Sequence, residues 1–186
     1  MFFTQPLTVV KIDEMISLEI LHDHHAEPLL DLLNKNRPFL RQWLPWVDNM
    51  QTVENFRNYI NRCKRQLEAA TDLSYVIFTN NAIAGRIGLH YIDLQNKTGS
   101  IGYWIGEEFT GTGIVTKSCK AIILFGFHEL MLNRIEIKCA TGNIRSAAVA
   151  ERLNFTKEGI LREAELVNDQ FIDLSLYSLL RKDWKD

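Results

Sequence analysis

The strongest constraint on the fold is one stretch, residues 100–129, in which a strand, a glycine-rich turn and a helix follow without a break. Residues 101–105 have the length and composition of a strand, and the turn after them carries Gly111 and Gly113. Glycine lacks Cβ, so its backbone N–H can face a ligand, and the first turn of a helix adds unpaired donors and a positive dipole end. The stretch therefore predicts an anion cradle, above all for phosphate.

The spacing of apolar residues after this turn predicts a helix that is largely buried. One broad side is apolar, and Lys117, Lys120 and Glu129 remain for solvent. A tight turn that merely leads into a packed helix fits the same pattern, because a lone Gly-x-Gly is a weak signal. The apolar side consists of Ile114, Val115, Cys119, Ile122, Ile123, Phe125 and Phe127.

Length and composition predict one globular domain over residues 1–186. The chain is 46% hydrophobic, enough for a sizeable core without disulfides or metals. Its formal net charge is −2, which gives no bias toward nucleic acid or an anionic membrane. The three cysteines are scattered rather than set at ligand spacing, so we expect buried thiols in a reducing compartment.

The first residues and the hydropathy of the chain predict a cytoplasmic address. Residues 1–6 lack a basic flank followed by an apolar run. We find no segment that reaches the ~20 apolar residues needed to cross a bilayer.

Before the glycine-rich stretch, the pattern predicts a strand over residues 16–21, then a helix from His25 with Asp23 as a cap, ended by residues 34–38. Thr52 is expected to cap a helix that runs to about Ala70. Two strands, residues 73–79 and 82–92, joined by a tight turn at Asn80 and Asn81, lead to the central strand as an antiparallel meander.

After the central helix, residues 134–139 alternate as a strand, which suggests a local parallel crossover. A polar cap at Asn143 and a short helix follow, and residues 155–161 and 171–180 read as the last strands. The predicted fold class is α/β in a single domain, with a mixed, mostly antiparallel central sheet flanked by helices.

Two further clusters invite functional interpretations. The aromatic segment, residues 39–46, could form a rigid wall or lid over a cleft, although core packing is the simpler explanation. His22, Asp23, His24 and His25 could suggest a metal, but we find no partners at ligand spacing and expect a solvated strand end. We therefore predict no metal site.

The glycine loop and the segment from Asn143 to Phe155 together resemble the GNAT superfamily of acetyl-CoA-dependent N-acetyltransferases, over nearly the whole chain. In that family a strand like residues 102–105 precedes a Q/R-x-x-G-x-G/A loop that binds the coenzyme A pyrophosphate through backbone amides. Glu108 stands here in place of Gln or Arg. The resemblance implies that the cofactor-binding residues are Ile105, Glu108, Phe109, Thr110, Gly111, Thr112, Gly113, Ile114, Val115, Thr116, Asn143 and Ser146.

Within the superfamily, the chain resembles the RimJ/RimL branch, which acetylates N-terminal amines of ribosomal proteins. The resemblance lies in the sequence around Trp46, the central strand, the glycine loop and the Asn-x-x-Ser motif at Asn143. Asn154 stands where Gly is usual, and Glu19 where many members have Arg. The implied acceptor is a protein N-terminus, and the implied assembly at least a homodimer.

The resemblance also implies the catalytic residues. Acetyl transfer from a thioester to an amine needs a neutral amine, a held carbonyl oxygen and a protonated leaving thiol. Glu165 lies where this branch places its candidate base, with Glu163 and Glu158 as weaker competitors. The usual tyrosine acid position falls on Ala150, so Ser146 is implied as the hydrogen-bond donor to the thiolate. The thioester oxygen is expected at a backbone N–H near Ile105, where the family's strands separate.

Other functions stay open on the sequence alone. The acceptor could be a small amine such as a polyamine, an aminoglycoside or an amino acid, and the chain could instead be a non-catalytic acyl-CoA-binding domain. A dinucleotide-binding oxidoreductase does not fit, because the third glycine and repeated βαβ units are missing.

Overall fold

The computed structural model describes residues 8–185, so the predictions about residues 1–6 lie outside it. Within residues 8–185, four α-helices and eight strands are joined by turns and short 3₁₀ helices. The helices are α1 Ala26–Leu40, α2 Val53–Glu68, α3 Ile114–His128 and α4 Ile144–Arg152. The strands are β1 Val9–Lys11, β2 Ile16–Ile20, β3 Leu73–Thr79, β4 Ala82–Asp93, β5 Thr98–Ile105, β6 Arg134–Ala140, β7 Thr156–Val167 and β8 Gln170–Leu180.

All eight strands belong to one sheet in the order β1-β2-β3-β4-β5-β6-β8-β7. Every neighbouring pair is antiparallel except β5 and β6, which are parallel and joined through α3. A parallel pair needs a crossover of this kind, whereas antiparallel neighbours can be joined by tight turns. The predicted α/β fold with a mixed, mostly antiparallel sheet is confirmed.

The two faces of the sheet bury different cores, because side chains alternate along each strand. On one face, Ile101 and Ile105 of β5 pack with the apolar sides of α3 and α4. On the other face, Trp104 packs with residues of α1 and α2. Helices thus cover the sheet on both sides of β5, the strand that ends at the glycine loop.

The parallel pair β5–β6 opens before either strand ends. Its register runs from Thr98 opposite Arg134 to Ile101 opposite Ile137. Beyond that point β5 continues to Ile105 paired only with β4, and β6 continues to Ala140 paired only with β8. The strands leave a wedge between them, and the glycine loop and the start of α4 lie at its two sides.

The first helix is longer than the sequence predicts. Residues 34–38 were expected to end it, but α1 runs through Pro38 to Leu40. Proline removes one backbone hydrogen bond from a helix, but other contacts stabilise the turn that contains Pro38. Leu40 is buried in the second core, and the Arg37 guanidinium donates to the carbonyls of Val47 and Met50.

Several other boundaries differ from the prediction. Asp23 does not cap α1; it lies in a 3₁₀ turn and its carboxylate accepts a hydrogen bond from Lys64 Nζ at 2.8 Å. Residues 9–11 form an additional strand, and β7 extends to Val167 rather than ending at Leu161.

The Thr52 cap is confirmed, since its Oγ1 accepts the Asn55 N–H at 3.2 Å. The turn at Asn80 and Asn81 has the expected positive φ angles, 48° and 62°.

Cys63, Cys119 and Cys139 are free thiols and all three are buried, as the sequence predicts. Among residues 8–185, none of the helices combines the length and the apolar character required to cross a membrane.

Candidate active site

Both loop glycines adopt a backbone conformation that favours glycine. Gly111 has φ +76° and Gly113 has φ +81°, the left-handed region that L side chains rarely adopt. A Cβ added at either position would meet nothing within 4 Å, so the space above the loop is open. The lack of a Cβ is the reason for glycine that can be predicted from the sequence, and the structure adds the positive φ as a second reason.

Among residues 8–185, the backbone amides of the loop and the first helical turn find no backbone acceptor. The first backbone hydrogen bond of α3 is donated by the Lys117 N–H to the Gly113 carbonyl at 3.0 Å. Within the described part of the chain, the amides of residues 111–116 donate to no backbone carbonyl. Unpaired amides at the start of a helix, together with its dipole, are suited to the anion site that the sequence predicts.

A buried asparagine that the sequence analysis missed fixes the approach to this loop. Asn36 of α1 is 5% exposed, and its Oδ1 accepts the Glu107 N–H at 2.7 Å. Its Nδ2 donates to the Leu32 carbonyl at 3.0 Å. Glu107 begins the 3₁₀ turn that leads into the glycine loop. The sequence analysis took Asn36 as part of a helix-ending turn, and only its burial reveals this contact.

The loop hydroxyls and charges mainly stabilise the loop itself. Thr110 Oγ1 donates to the Glu107 carbonyl at 2.8 Å, and Thr112 Oγ1 to the Phe109 carbonyl at 2.6 Å. Lys117 Nζ is paired with Asp13 Oδ2 at 2.7 Å. Glu108 is exposed, where the resemblance would place Gln or Arg. Backbone amides are therefore the main groups that this loop offers to an anion.

Ile105 lies at the end of β5, beside the opening between the strands. It pairs with Gly85 of β4, and the next amide, Gly106 N–H, donates to the Ala84 carbonyl at 2.9 Å. Because the direction of backbone groups alternates along an antiparallel strand, the N–H of Ile105 is turned away from β4, toward the wedge. That is where the family resemblance implies a donor to a thioester oxygen.

Asn143 and Ser146 lie together at the start of α4. Asn143 is the N-cap, and its Oδ1 accepts the Ser146 N–H at 3.1 Å. Asn143 thus holds its own loop, one of the two roles the sequence analysis gave it. Ser146 is the third residue of α4 and not its N-cap, so its hydroxyl is not used to cap the helix.

The side chain of Ser146 is hydrogen-bonded to Tyr103, a residue that the sequence analysis missed. Its Oγ lies 2.7 Å from the Tyr103 hydroxyl, which is also 3.3 Å from the Ser146 carbonyl oxygen. Burial raises the pKa of Tyr103 well above its ordinary value, so the phenol is protonated. Alternation along β5 places Tyr103 on the face of Ile101 and Ile105, and a phenol there needs a partner.

Glu165 lies on β7, opposite Ile172 of β8, and is half-buried. Burial raises the pKa of its carboxyl group. Among the described residues, no hydrogen bond or ion pair joins it to Ser146 or to the glycine loop. A carboxylate with a raised pKa and no bound cation is a better base than an ordinary one.

The two competing glutamates are less suited to act as a base. Arg134 donates to both carboxylate oxygens of Glu158 at 2.6 Å. These bonds, followed by one from Ser178, lower the pKa of Glu158 to about 2. Glu163 is exposed, and its own amide donates to Asp173 Oδ1 at 2.8 Å.

The aromatic segment, residues 39–46, borders the opening as well as the second core. Trp46 packs against Trp104 with ring centroids 6.1 Å apart. A Cβ on Gly142 would lie 3.6 Å from the ring of Trp43, so this ring covers the turn before α4. The Arg41 carbonyl accepts a hydrogen bond from Asn168 Nδ2 at 3.0 Å, which joins the segment to the β7–β8 turn. The aromatic segment therefore packs into the second core and also lies beside the opening.

The histidine cluster is less solvated than predicted, because His25 is 2% exposed. Glu19, His24 and His25 each place one possible metal-ligand atom within 4.8 Å of the others. However, His25 Nδ1 accepts the His22 N–H at 3.0 Å, and burial lowers the pKa of His25 to about 4. In that neutral ring the proton is on Nε2, which then has no lone pair for a metal.

Comparison with known proteins gives a consistent result. The family model described as acetyltransferase (GNAT) domain matches residues 16–156. A ribosomal-protein-serine acetyltransferase of Escherichia coli strain K12 is 32% identical over 169 residues, covering 91% of this chain and 94% of the relative.

Two solved structures resemble the whole chain closely. RimL, a ribosomal alpha-N-protein acetyltransferase in complex with coenzyme A, has a TM-score of 0.90 at 29% identity, covering 94% of this chain and 99% of that one. A microcin self-immunity acetyltransferase, MccE, in complex with acetyl-CoA and AMP, has a TM-score of 0.89 at 31% identity, covering 95% of this chain and 98% of that one.

Proposed function

Because the chain belongs to the GNAT acetyltransferase family, we propose that it is an acetyl-CoA-dependent enzyme whose acceptor is the α-amino group of a protein N-terminus. It is an N-acetyltransferase by family. The acceptor and the residues that act on it are the proposal, as is the assignment of residues 1–186 to one catalytic domain.

The opening between β5 and β6 is the observation that carries the proposal. It begins where Ile101 and Ile137 end the parallel register. Residues near it can bind an anion at the glycine loop, polarise a carbonyl near Ile105 and stabilise a thiolate at Ser146. A thioester of a phosphorylated cofactor requires these three interactions, and a simple structural turn would need none of them.

The glycine loop fits the pyrophosphate of coenzyme A. Gly111 and Gly113 leave open space above amides that donate to no backbone group, as a phosphate requires. When bound, acetyl-CoA supplies the activated acetyl group as a thioester. The N–H of Ile105 is turned toward the wedge, where it can donate to the thioester oxygen and stabilise charge that develops there.

Glu165 is proposed to accept the proton that the amine loses when its nitrogen bonds to the acetyl carbon. An α-amino group has a pKa of about 7.7 to 8.0, against about 10.4 for lysine, so a weak base suffices. The raised pKa of Glu165 brings the carboxylate nearer to that range. As the carbon–sulfur bond breaks, Ser146 donates a hydrogen bond to the departing thiolate.

The names of the relatives support a protein acceptor. The Escherichia coli relative acts on a ribosomal-protein serine, and RimL is a ribosomal alpha-N-protein acetyltransferase. We therefore propose a ribosomal protein as the natural target, which would place the reaction in the cytoplasm. A small-molecule amine is the second candidate, favoured by the likeness to MccE with its bound AMP.

Mass spectrometry after incubation with acetyl-CoA and a deacetylated cell extract tests the acceptor class. The proposal predicts new acetyl groups on α-amines of proteins, with few on lysine side chains. A matched reaction with Ser146→Ala protein controls for chemical acetylation. Acetylated small molecules without acetylated N-termini would favour the second candidate and contradict the first.

A further inference from the structure

The hydroxyl groups of Tyr103 and Ser146 form a pair that bridges the opening of the sheet. Tyr103 lies on β5, beyond Ile101, where that strand has separated from β6. Ser146 lies in the first turn of α4, the helix that follows β6. Their oxygens are 2.7 Å apart, the ordinary length of an O–H···O hydrogen bond. The pair therefore joins the two sides of the wedge at one point.

The direction of this bond decides whether Ser146 can act on a leaving group. A serine hydroxyl has one proton, and donating it to Tyr103 would leave none for a thiolate. If Tyr103 donates instead, the Ser146 proton is available to another acceptor, either a thiolate or the neighbouring Cys139 sulfur. The phenol is the more acidic hydroxyl and hence the better donor, and both acceptor oxygens near it belong to Ser146.

The backbone of Ser146 is already fixed, so the remaining freedom is rotation of its side chain. Asn143 Oδ1 accepts the Ser146 N–H at 3.1 Å and holds the helix start. A serine side chain can still occupy three staggered rotamers. A hydrogen bond from Tyr103 selects one of them and polarises the hydroxyl, which strengthens the bond that Ser146 donates.

We propose that Tyr103 is a positioning residue for the acetyl transfer: its phenol donates to Ser146 Oγ and directs the Ser146 proton toward the sulfur of the departing coenzyme A. This inference rests on the proposed function. Tyr103 keeps its own proton throughout and touches neither the acetyl group nor the amine. Its contribution to catalysis passes entirely through Ser146.

A double-mutant cycle tests this assignment. Tyr103→Phe, Ser146→Ala and the double variant are compared in kcat, KM and the calorimetric Kd for acetyl-CoA. We expect Tyr103→Phe to lower kcat by roughly 10-fold, and by no more than Ser146→Ala, with Kd within about twofold. In the Ser146→Ala background the same change should cost less than about twofold, since its partner is gone.

Tyr75→Phe is the matched control, because Tyr75 is another buried tyrosine in the core that Tyr103 packs against. It should leave kcat unchanged in both backgrounds. Equal losses from Tyr103→Phe with and without Ser146, or an unchanged kcat, would overturn the assignment. A parallel rise in Kd would show a structural role instead and overturn it too.

The same measurements separate this inference from the proposed function. Turnover by the wild-type protein tests the proposed function, and the ratio between variants tests Tyr103. Thermal unfolding of each variant confirms folding, and Phe preserves the ring that packs against the core containing Cys119 and Cys139. If Tyr103→Phe unfolds, Tyr103→Met provides the second variant, because its flexible apolar side chain fills most of the space without a hydroxyl; the same non-additivity is expected.

Discussion

At the scale of single residues, Glu165 carries the clearest pH prediction. Its pKa is raised by burial, so we expect its ionisation to limit activity at the acidic end of the profile. Glu165→Gln should lower turnover by roughly 100-fold at low pH, where the amine is protonated, and the deficit should shrink above the amine pKa of about 7.7 to 8.0. Steady-state rates on an N-terminal peptide from pH ~6 to ~9 measure this.

Glu163→Gln is the control for Glu165→Gln, since this neighbour is exposed and, among the described residues, no hydrogen bond or ion pair joins its carboxylate to the loop or to Ser146. It should preserve the wild-type profile. Folding raises the pKa of Glu165, so its ionised form costs stability as pH rises through that pKa. Glu165→Gln should therefore not lower the melting temperature at neutral pH. If the pH–rate profile of Glu165→Gln runs parallel to that of the wild type, Glu165 does not act as the base.

Asn36 provides a prediction that links a buried side chain to the loop. Asn36→Ala leaves the Glu107 N–H without its acceptor, which should cost about 1–3 kcal/mol of stability. The 3₁₀ turn before the glycine loop should loosen, and the Kd for acetyl-CoA should rise several-fold. Calorimetry and thermal unfolding measure the two effects. Asn34→Ala, an exposed asparagine of the same helix, is the control, and equal behaviour of the two variants would contradict the role of Asn36.

Residue roles were predicted from the sequence only where a pattern marked them. The spacing of Gly111, Gly113, Asn143 and Ser146 identified the loop and the start of α4. Tyr103 and Asn36 were missed because each acts through one long-range contact, 43 and 71 residues away in sequence. Periodicity shows which face a residue occupies, but it does not show which polar group from another element meets it there.

At the scale of elements, the glycine loop offers the most direct test by mutation. Gly113→Val should weaken acetyl-CoA binding by more than about tenfold, because valine disfavours the positive φ and its Cβ occupies the open space above the amides. Calorimetry on the folded variant is the measurement. Gly159→Val is the control, since Gly159 also has open space but lies on β7 without a positive φ. Unchanged affinity in Gly113→Val would contradict the role of the loop.

Element types were predicted well, and element ends less so, for identifiable reasons. Pro38 normally ends a helix, but buried Leu40 and the contacts of Arg37 stabilise the turn that contains it. The predicted end of β7 at Leu161 coincides with an irregularity in its pairing between Leu161 and Glu165. Beyond that irregularity the strand resumes, and the alternation that would have revealed it is interrupted.

At the scale of the whole molecule, we propose a homodimer through the β7–β8 hairpin. Phe171 is 67% exposed and Leu166 is 48% exposed, an apolar surface that a second copy could cover. Light scattering should report twice the 21.5 kDa chain mass at micromolar concentration. Phe171→Ser should shift the protein toward monomer, whereas Tyr91→Ser, which removes an exposed aromatic residue on β4, should not. A 21.5 kDa particle for the wild type would contradict the dimer.

The arrangement of the whole sheet came partly from pattern and partly from resemblance. Alternation and tight turns were enough to predict the antiparallel meander, and a helix between two strands was enough to predict the parallel pair. The opening between β5 and β6 was expected only from the family resemblance. Periodicity along Ile101 to Ile105 does not reveal where pairing with a distant strand stops, because that depends on the path of β6.

The most direct test of the central claim is acetyl transfer from acetyl-CoA to a peptide with a free N-terminal amine and one internal lysine. Mass spectrometry should find one acetyl group on the α-amine, and none when that amine is blocked beforehand. Ser146→Ala should lower the rate by roughly 10- to 1,000-fold without changing the site. Transfer to the lysine of the blocked peptide, or full activity in Ser146→Ala, would contradict the account.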